Sequence, residues 1–133
     1  MGLDGGSSGG LENRGLPPGK RLRAGMEVGP IGARDLIAGG ALVVDVREPD
    51  EWRICRLDGA VLLPLGEVDE RADELEDGHG ADGETPIVVY CHHGVRSLTA
   101  TALLQAKGLR GARSMAGGID LWSVAVDSGV ARY

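Results

Sequence analysis

Two short apolar runs, "ALVVDV" at 41–46 and "PIVVY" at 86–90, constrain this 133-residue chain more than any other feature. Neither alternates with polar residues, and each brings the chain to a chemically capable side chain: Asp45 in the first, Cys91 directly after the second. A strand that is apolar on both faces must be covered on both, which is the condition of a parallel sheet lying between helices. The sequence between the runs supplies helices. "GARDLIAGG" reads as a short helix closed by Gly39 and Gly40. "LGEVDERADELED" sets Leu65, Val68, Ala72 and Leu75 at helical spacing with acids opposite them. "SLTATALLQAKG" reads as a helix with Leu98, Thr101, Ala102 and Gln105 spaced along it, ending at Gly108. "AVLLP", broken by Pro64, and "GARSM" are further strands. This alternation predicts an α/β domain with a small, mostly parallel central sheet flanked by helices.

The length suits one domain. Residues are 42% hydrophobic but only 3% aromatic, with no Phe, so aliphatic side chains must fill the core. The formal charge of −6 argues against nucleic acid or an anionic membrane as a partner. Residues 1–25 are rich in Gly, Ser and Pro, with a basic cluster at Lys20, Arg21 and Arg23. Such a segment buries too little apolar area to offset its ordering entropy, so it is expected to be a disordered tail before a domain spanning 26–133. Met26, where that domain begins, is a candidate translation start. The tail has no apolar stretch of the signal-peptide kind, and no apolar run is long enough to cross a bilayer. A cytoplasmic protein with reduced thiols is therefore expected, and a disulfide between Cys55 and Cys91 is not.

Cys91 opens the turn "CHHGVRS" between a strand and a helix. Ligands of parallel sheets gather beyond the carboxyl ends of strands, and the unpaired amides of a following helix form an anion cradle there. A thiol facing such a cradle should ionise below the ordinary value of about 8.5. Arg96 adds a positive charge, and Gly94 lets the backbone turn its amides inward. These features suit a thiolate nucleophile, and equally the anionic persulfide formed if that thiolate captured sulfur. A cysteine after a buried strand is also an ordinary small hydrophobe, and the residues of the loop alone leave both readings open. Asp45 and Arg47 stand at a strand end as either a brace for the loop or a structural ion pair. Arg96 could hold the loop, offset the charge of a persulfide, meet an anionic donor or simply be a surface arginine. The neighbours His92 and His93 point in different directions and lack a third ligand at familiar spacing, so no metal site is expected. Cys55 reads as a packed thiol in preference to a resolving one, Trp52 and Trp122 as core or rim packing, and His79 as solvent-facing.

Four segments, in order from Ile31 to about Trp122, carry a resemblance to the rhodanese family. "VVDVREPDEW" is similar to its strand-end Asp-x-Arg element and "LDGAVLLPLGEV" to the Gly-Ala…Pro element that follows. "YCHHGVRS" resembles the active-site loop and "AGGIDLW" the Gly-Gly-x-x-x-Trp element. The resemblance implies a rhodanese-like fold and a sulfurtransferase that needs no cofactor. It also implies Cys91 as nucleophile and persulfide carrier, with His92, His93, Gly94, Val95, Arg96 and Ser97 as its cradle. Related phosphatases and arsenate reductases have one more residue between Cys and Arg, room for a tetrahedral oxyanion. The Cys-x4-Arg spacing here favours sulfur transfer over dephosphorylation. Thiosulfate-specialised members carry extra loop cations where this chain has His92 and His93, which implies weak turnover of thiosulfate and leaves a protein persulfide as the other donor class. "GGIDLWSVAVDSGVARY" resembles the tail of rhodanese domains fused to MoeB/ThiF-type adenylyltransferases. That implies an adenylyltransferase or a ubiquitin-like sulfur carrier as partner. A catalytically silent binding module is the other class that this family resemblance allows.

Overall fold

The computed structural model describes residues 15–133. Of the tail expected over 1–25, residues 1–14 lie outside the described residues. Five short strands form one parallel sheet: β1 (Glu27–Val28), β2 (Leu42–Asp45), β3 (Val61–Leu62), β4 (Ile87–Tyr90) and β5 (Ala112–Met115). Their spatial order is β1-β5-β4-β2-β3. The helices are α1 (Pro30–Ala38), α2 (Pro49–Ile54), α3 (Val68–Arg71), α4 (Asp73–Asp77), α5 (Val95–Ala106) and α6 (Gly118–Ala125). From β2 the chain moves to β3 on one side, then crosses back to β4 and continues to β5 on the other. The switch in direction falls between β2 and β4, and in open α/β sheets that is where a ligand crevice forms at the carboxyl ends.

The unbroken apolar runs become the central strands because both faces are covered. Val44, Ile87, Val89 and Cys91 face one core, with Val68, Ala72 and Leu75 from α3 and α4 and Ala100 and Leu104 from α5. Val43, Val88, Tyr90 and Met115 face the other, with Ala33 of α1 and Ile119 and Trp122 of α6. Val68, Ala72 and Leu75 are buried as their spacing predicts, although the stretch breaks into a 3₁₀ turn (Leu65–Glu67) and two short helices. In α5 the buried face is Ser97, Ala100, Thr101 and Leu104, so Leu98, Ala102 and Gln105 lie off it. The helix also starts at Val95, two residues earlier than expected, which brings Arg96 and Ser97 into its first turn.

The boundary expected near residue 25 is corrected for residues 15–25. Gly15 lies against Pro30 and Ala125, and Leu16 is only 2% exposed. The Arg23 amide donates to Glu27 at 2.9 Å, and Lys20 pairs with the same carboxylate at 3.6 Å. One buried leucine and a shared acid outweigh the composition of the segment. Elements α2, α6 and β1 were not foreseen. The short strand β1 is held by pairing with β5 at Glu27–Ser114 and Val28–Met115.

Two glycines set how α6 begins. Gly117 and Gly118 have φ of +80° and +63°, and Gly118 lies against the Cys91 and His92 carbonyls, where a Cβ would fall on them. The substitution Gly118→Ala should therefore destabilise the domain by about 2–4 kcal/mol, combining left-handed strain with overpacking. Chemical denaturation measures this; a change under about 0.5 kcal/mol, ordinary for a surface site, would show that the close approach is not required.

Candidate active site

Cys91 is the first residue after β4, at the switch between β2 and β4, and has no exposed surface. Its Sγ accepts N–H bonds from Gly94 at 3.0 Å and Ser97 at 3.3 Å. The thiol donates to Ser97 Oγ at 3.3 Å, and that hydroxyl shares a 2.7 Å hydrogen bond with Ser114 Oγ on β5. Gly94 is the N-cap of α5 at φ +101°, and a Cβ there would lie 2.9 Å from the Gly117 nitrogen. The sulfur thus sits where a strand end, a left-handed glycine and the first turn of a helix converge. Those amides would otherwise lack intrahelical partners.

The remaining loop residues take different places. Gly94 and Ser97 are buried, His92 and Arg96 are partly exposed, and His93 and Val95 are open to solvent. The His92 ring lies 3.9 Å from that of His93 and stacks on Tyr133 at 3.9 Å with 4° between the planes. Burial, reinforced by the neighbouring His93, pushes the His92 pKa below its ordinary value, so this ring is neutral at pH 7. His93 Nδ1 lies 3.9 Å from Asp120.

Arg96 does not present a free charge to the sulfur. Both its terminal nitrogens bond Glu51 of α2, at 2.7 and 2.9 Å. The hydrogen bond to Glu51 raises the Arg96 pKa, and in return the Arg96 guanidinium holds Glu51 down to about 2. Asp45 and Arg47 form a fully buried ion pair, with Nη2 to Oδ2 at 2.7 Å and Nε to Oδ1 at 3.0 Å. Arg47 also donates to the Cys55 carbonyl at 2.6 Å and to the Tyr133 hydroxyl at 2.8 Å. Burial alone would weaken the Arg47 charge, but its hydrogen bonds to Asp45 and Tyr133 hold its pKa above the ordinary value. The Asp45–Arg47 pair reaches the loop through Tyr133, which stacks on His92 and bonds Glu51. Cys55 is a free thiol packed against the core on the opposite face of the sheet from Cys91. Trp122 is buried, Arg56 covers the Trp52 ring at 4.7 Å, and His79 is exposed.

Glu51 and Ser114 were missed by sequence reasoning. Glu51 carried a usable signal: it follows the β2 end in "DVREPDEW", so topology brings α2 to the same sheet edge as Cys91. It also closes a capping box with Glu48, its Oε1 accepting the Glu48 amide at 3.1 Å. Ser114 carried none, because its contact with Ser97 depends on the β4–β5 register.

Residues 32–125 match the family described as the rhodanese-like domain. Among relatives, the thiosulfate sulfurtransferase GlpE of Ectopseudomonas mendocina is 30% identical over 105 residues, covering 79% of this chain and 91% of that one. A Mycobacterium tuberculosis protein named as the probable adenylyltransferase/sulfurtransferase MoeZ is 32% identical over 113 residues, 82% of this chain and 27% of that one. The human single-domain sulfurtransferase TSTD1 is similar in structure, with a TM-score of 0.63 and 30% identity over 72% of this chain and 93% of that one. The chain belongs to the rhodanese-like domain family, as a rhodanese-type sulfurtransferase.

Because Glu51 is held from its usual 4.5 down to about 2, its pairing stabilises the fold fully above pH 4.5 and is lost as pH falls through 2. Arg96 is 33% exposed, so solvent screening reduces what the full shift would give. The variant Glu51→Gln should lose about 1–2 kcal/mol at pH 7, and its deficit should shrink steadily below pH 4.5. Urea unfolding across pH 2–7 tests this, and a deficit that stays constant over that range would refute the assignment.

Proposed function

We propose that Cys91 carries sulfane sulfur as a persulfide and passes it to a thiophilic acceptor. The observation that supports this best is the Cys91 sulfur facing two backbone amides, Gly94 and Ser97, at the β4–α5 junction. The thiolate attacks the outer sulfur of a donor such as thiosulfate or a protein persulfide. The donor's S–S bond breaks and its remainder leaves with the bonding pair, as sulfite in the case of thiosulfate. Cys91 is left as Cys–S–S⁻. An acceptor then attacks the terminal sulfur and regenerates the thiolate; cyanide leaves as thiocyanate. Asp45 and Arg47 act as positioning residues, and His92, His93, Gly94, Val95, Arg96 and Ser97 surround the sulfur.

The charge pattern favours a monoanionic or protein-bound donor over dianionic thiosulfate. Arg47 and Arg96 are each matched by a carboxylate, and His92 is neutral, so the loop offers dipoles in place of free cations. The likeness to MoeZ supports a physiological acceptor at the activated C-terminus of a ubiquitin-like carrier, with an adenylyltransferase as partner. A cytoplasmic setting with reduced thiols belongs to the same proposal. No helix among the described residues is long and apolar enough to cross a membrane.

Intact-protein mass spectrometry after incubation with thiosulfate, and separately with a cysteine desulfurase and cysteine, tests the reading. The wild type should gain one sulfur that cyanide removes, more completely from the desulfurase, and folded Cys91→Ser should gain none. Failure of both donors to load folded, reduced protein would leave the binding-module reading in its place.

A further inference from the structure

The segment 127–133 leaves α6 and returns to the Cys91 loop. Ser123 Oγ donates to the Val130 carbonyl at 2.6 Å, and Arg132 pairs with Asp120 at 2.8 and 3.0 Å. Tyr133 then lies across the loop. Its ring is stacked flat on His92, the second loop residue. Its hydroxyl donates to Glu51 Oε2 at 2.7 Å, and Glu51 grips Arg96, the sixth. One side chain therefore joins both limbs of a loop whose cysteine has no exposed surface. Burial, together with the bond to Glu51, pushes the tyrosine pKa up to about 12, so the hydroxyl keeps its proton at neutral pH.

The closure is lightly held. Among the described residues, no backbone–backbone hydrogen bond ties 131–133, and the Arg132 anchor is an exposed ion pair. Tyr133 is itself 40% exposed. Beside the segment lies an open groove of about 510 Å³, lined by Ile37, Ile54, Trp122 and Val130 among others, into which the chain has room to shift. The ring is tied at its hydroxyl by the buried Arg47 at 2.8 Å and by Glu51, but the residue before it rests on an exposed anchor, and this fits a two-position element better than a fixed wall.

We propose that Tyr133 is a gate over Cys91 that sets specificity by size: a slight shift of the ring admits small reagents, whereas bulky donors and acceptors require its full displacement. The inference rests on the sulfur-transfer reading for its biological meaning, but the gating itself can be measured on the bare thiol. If the open position is a minor state of about 0.1–10%, bulky reagents react in proportion to that fraction, and removing the gate raises their rate by about tenfold or more.

The test compares wild type, Tyr133→Ala and Tyr133→Phe. Alkylation of Cys91 by iodoacetamide and by a pyrenyl maleimide is followed by peptide mass spectrometry, which separates it from Cys55. In Tyr133→Ala the maleimide rate should rise by about tenfold or more while the iodoacetamide rate changes by less than about threefold. Tyr133→Phe, which keeps the stacked ring, should recover most of the size selectivity. Equal acceleration of both reagents would mean general loosening and would overturn the gate, as would no change in either or a Phe variant that behaves like Ala. A second arm transfers sulfur from the loaded proteins to cyanide and to glutathione, where the variant should favour glutathione by a similar factor. Absence of any loaded sulfur in all three proteins refutes the functional reading, whereas loaded protein with an unchanged glutathione-to-cyanide ratio refutes the gate.

Discussion

The amides of Ile119 and Asp120 donate to the carbonyls of Cys91 and His92 at 2.9 and 3.2 Å, and this contact shapes the loop above the sulfur. A helix can begin that close to another chain segment only if its first residues lack side chains, and Gly117 and Gly118 meet that need. With the first two carbonyls fixed from below, the chain turns at Gly94 and sends the Gly94 and Ser97 amides back to Cys91. Backbone dipoles fixed in this way need no reorganisation when negative charge develops on a sulfur. The "AGGIDLW" element is thus part of the active-site loop's support, though it begins only at residue 116, well after the loop ends at Ser97.

Side-chain charge is arranged differently. A buried pair such as Asp45–Arg47 gives up much of its Coulombic gain to desolvation, so its presence is weak grounds for stability. Its value here is positional. Arg47 joins the β2 end to the Cys55 carbonyl just beyond α2 and to the Tyr133 hydroxyl, and α2 carries Glu51, which holds Arg96. The readings left open for Arg96 and Arg47 are narrowed by that network. Neither guanidinium is free to meet a dianion; each has a carboxylate at hydrogen-bond distance, and any electrostatic help to the sulfur comes chiefly from the amides.

The fold was legible where pattern and period coincide. "ALVVDV" and "PIVVY" gave the central strands and their burial on both faces, and Val68, Ala72 and Leu75 gave a buried helical face. The spacing along α5 did not reveal which face is buried, for a physical reason. Ser97 and Thr101 look polar in sequence, yet small hydroxylated residues are buried against the sheet there, one of them bonded to Ser114. The strand β1, of two residues, has no pattern to read and exists through its pairing with β5. At the site, the cysteine and its loop were visible because one short segment contains them. Glu51, Ser114 and the placement of Tyr133 were not, because each joins segments brought together only by topology and register.

The proposed role of Cys91 as nucleophile is compatible with its having no exposed surface only if the two sides of the site differ in firmness. On one side stand β4, α5 and the start of α6, interlocked by glycine contacts and backbone hydrogen bonds, and these orient the sulfur. On the other stand α2, whose six residues include none that is buried, and the segment 127–133, anchored by single side-chain contacts from Ser123 to Val130, Arg132 to Asp120 and Arg47 to Tyr133. Local opening in proteins follows low packing, and under the proposed gate it is the second side that yields. In the proposed cycle, sulfur carried on Cys91 stays in the amide cradle while access changes at Tyr133. The Glu51–Tyr133–Arg47 contacts lie at that boundary, and they couple the covering residue to the loop arginine without engaging the sulfur itself.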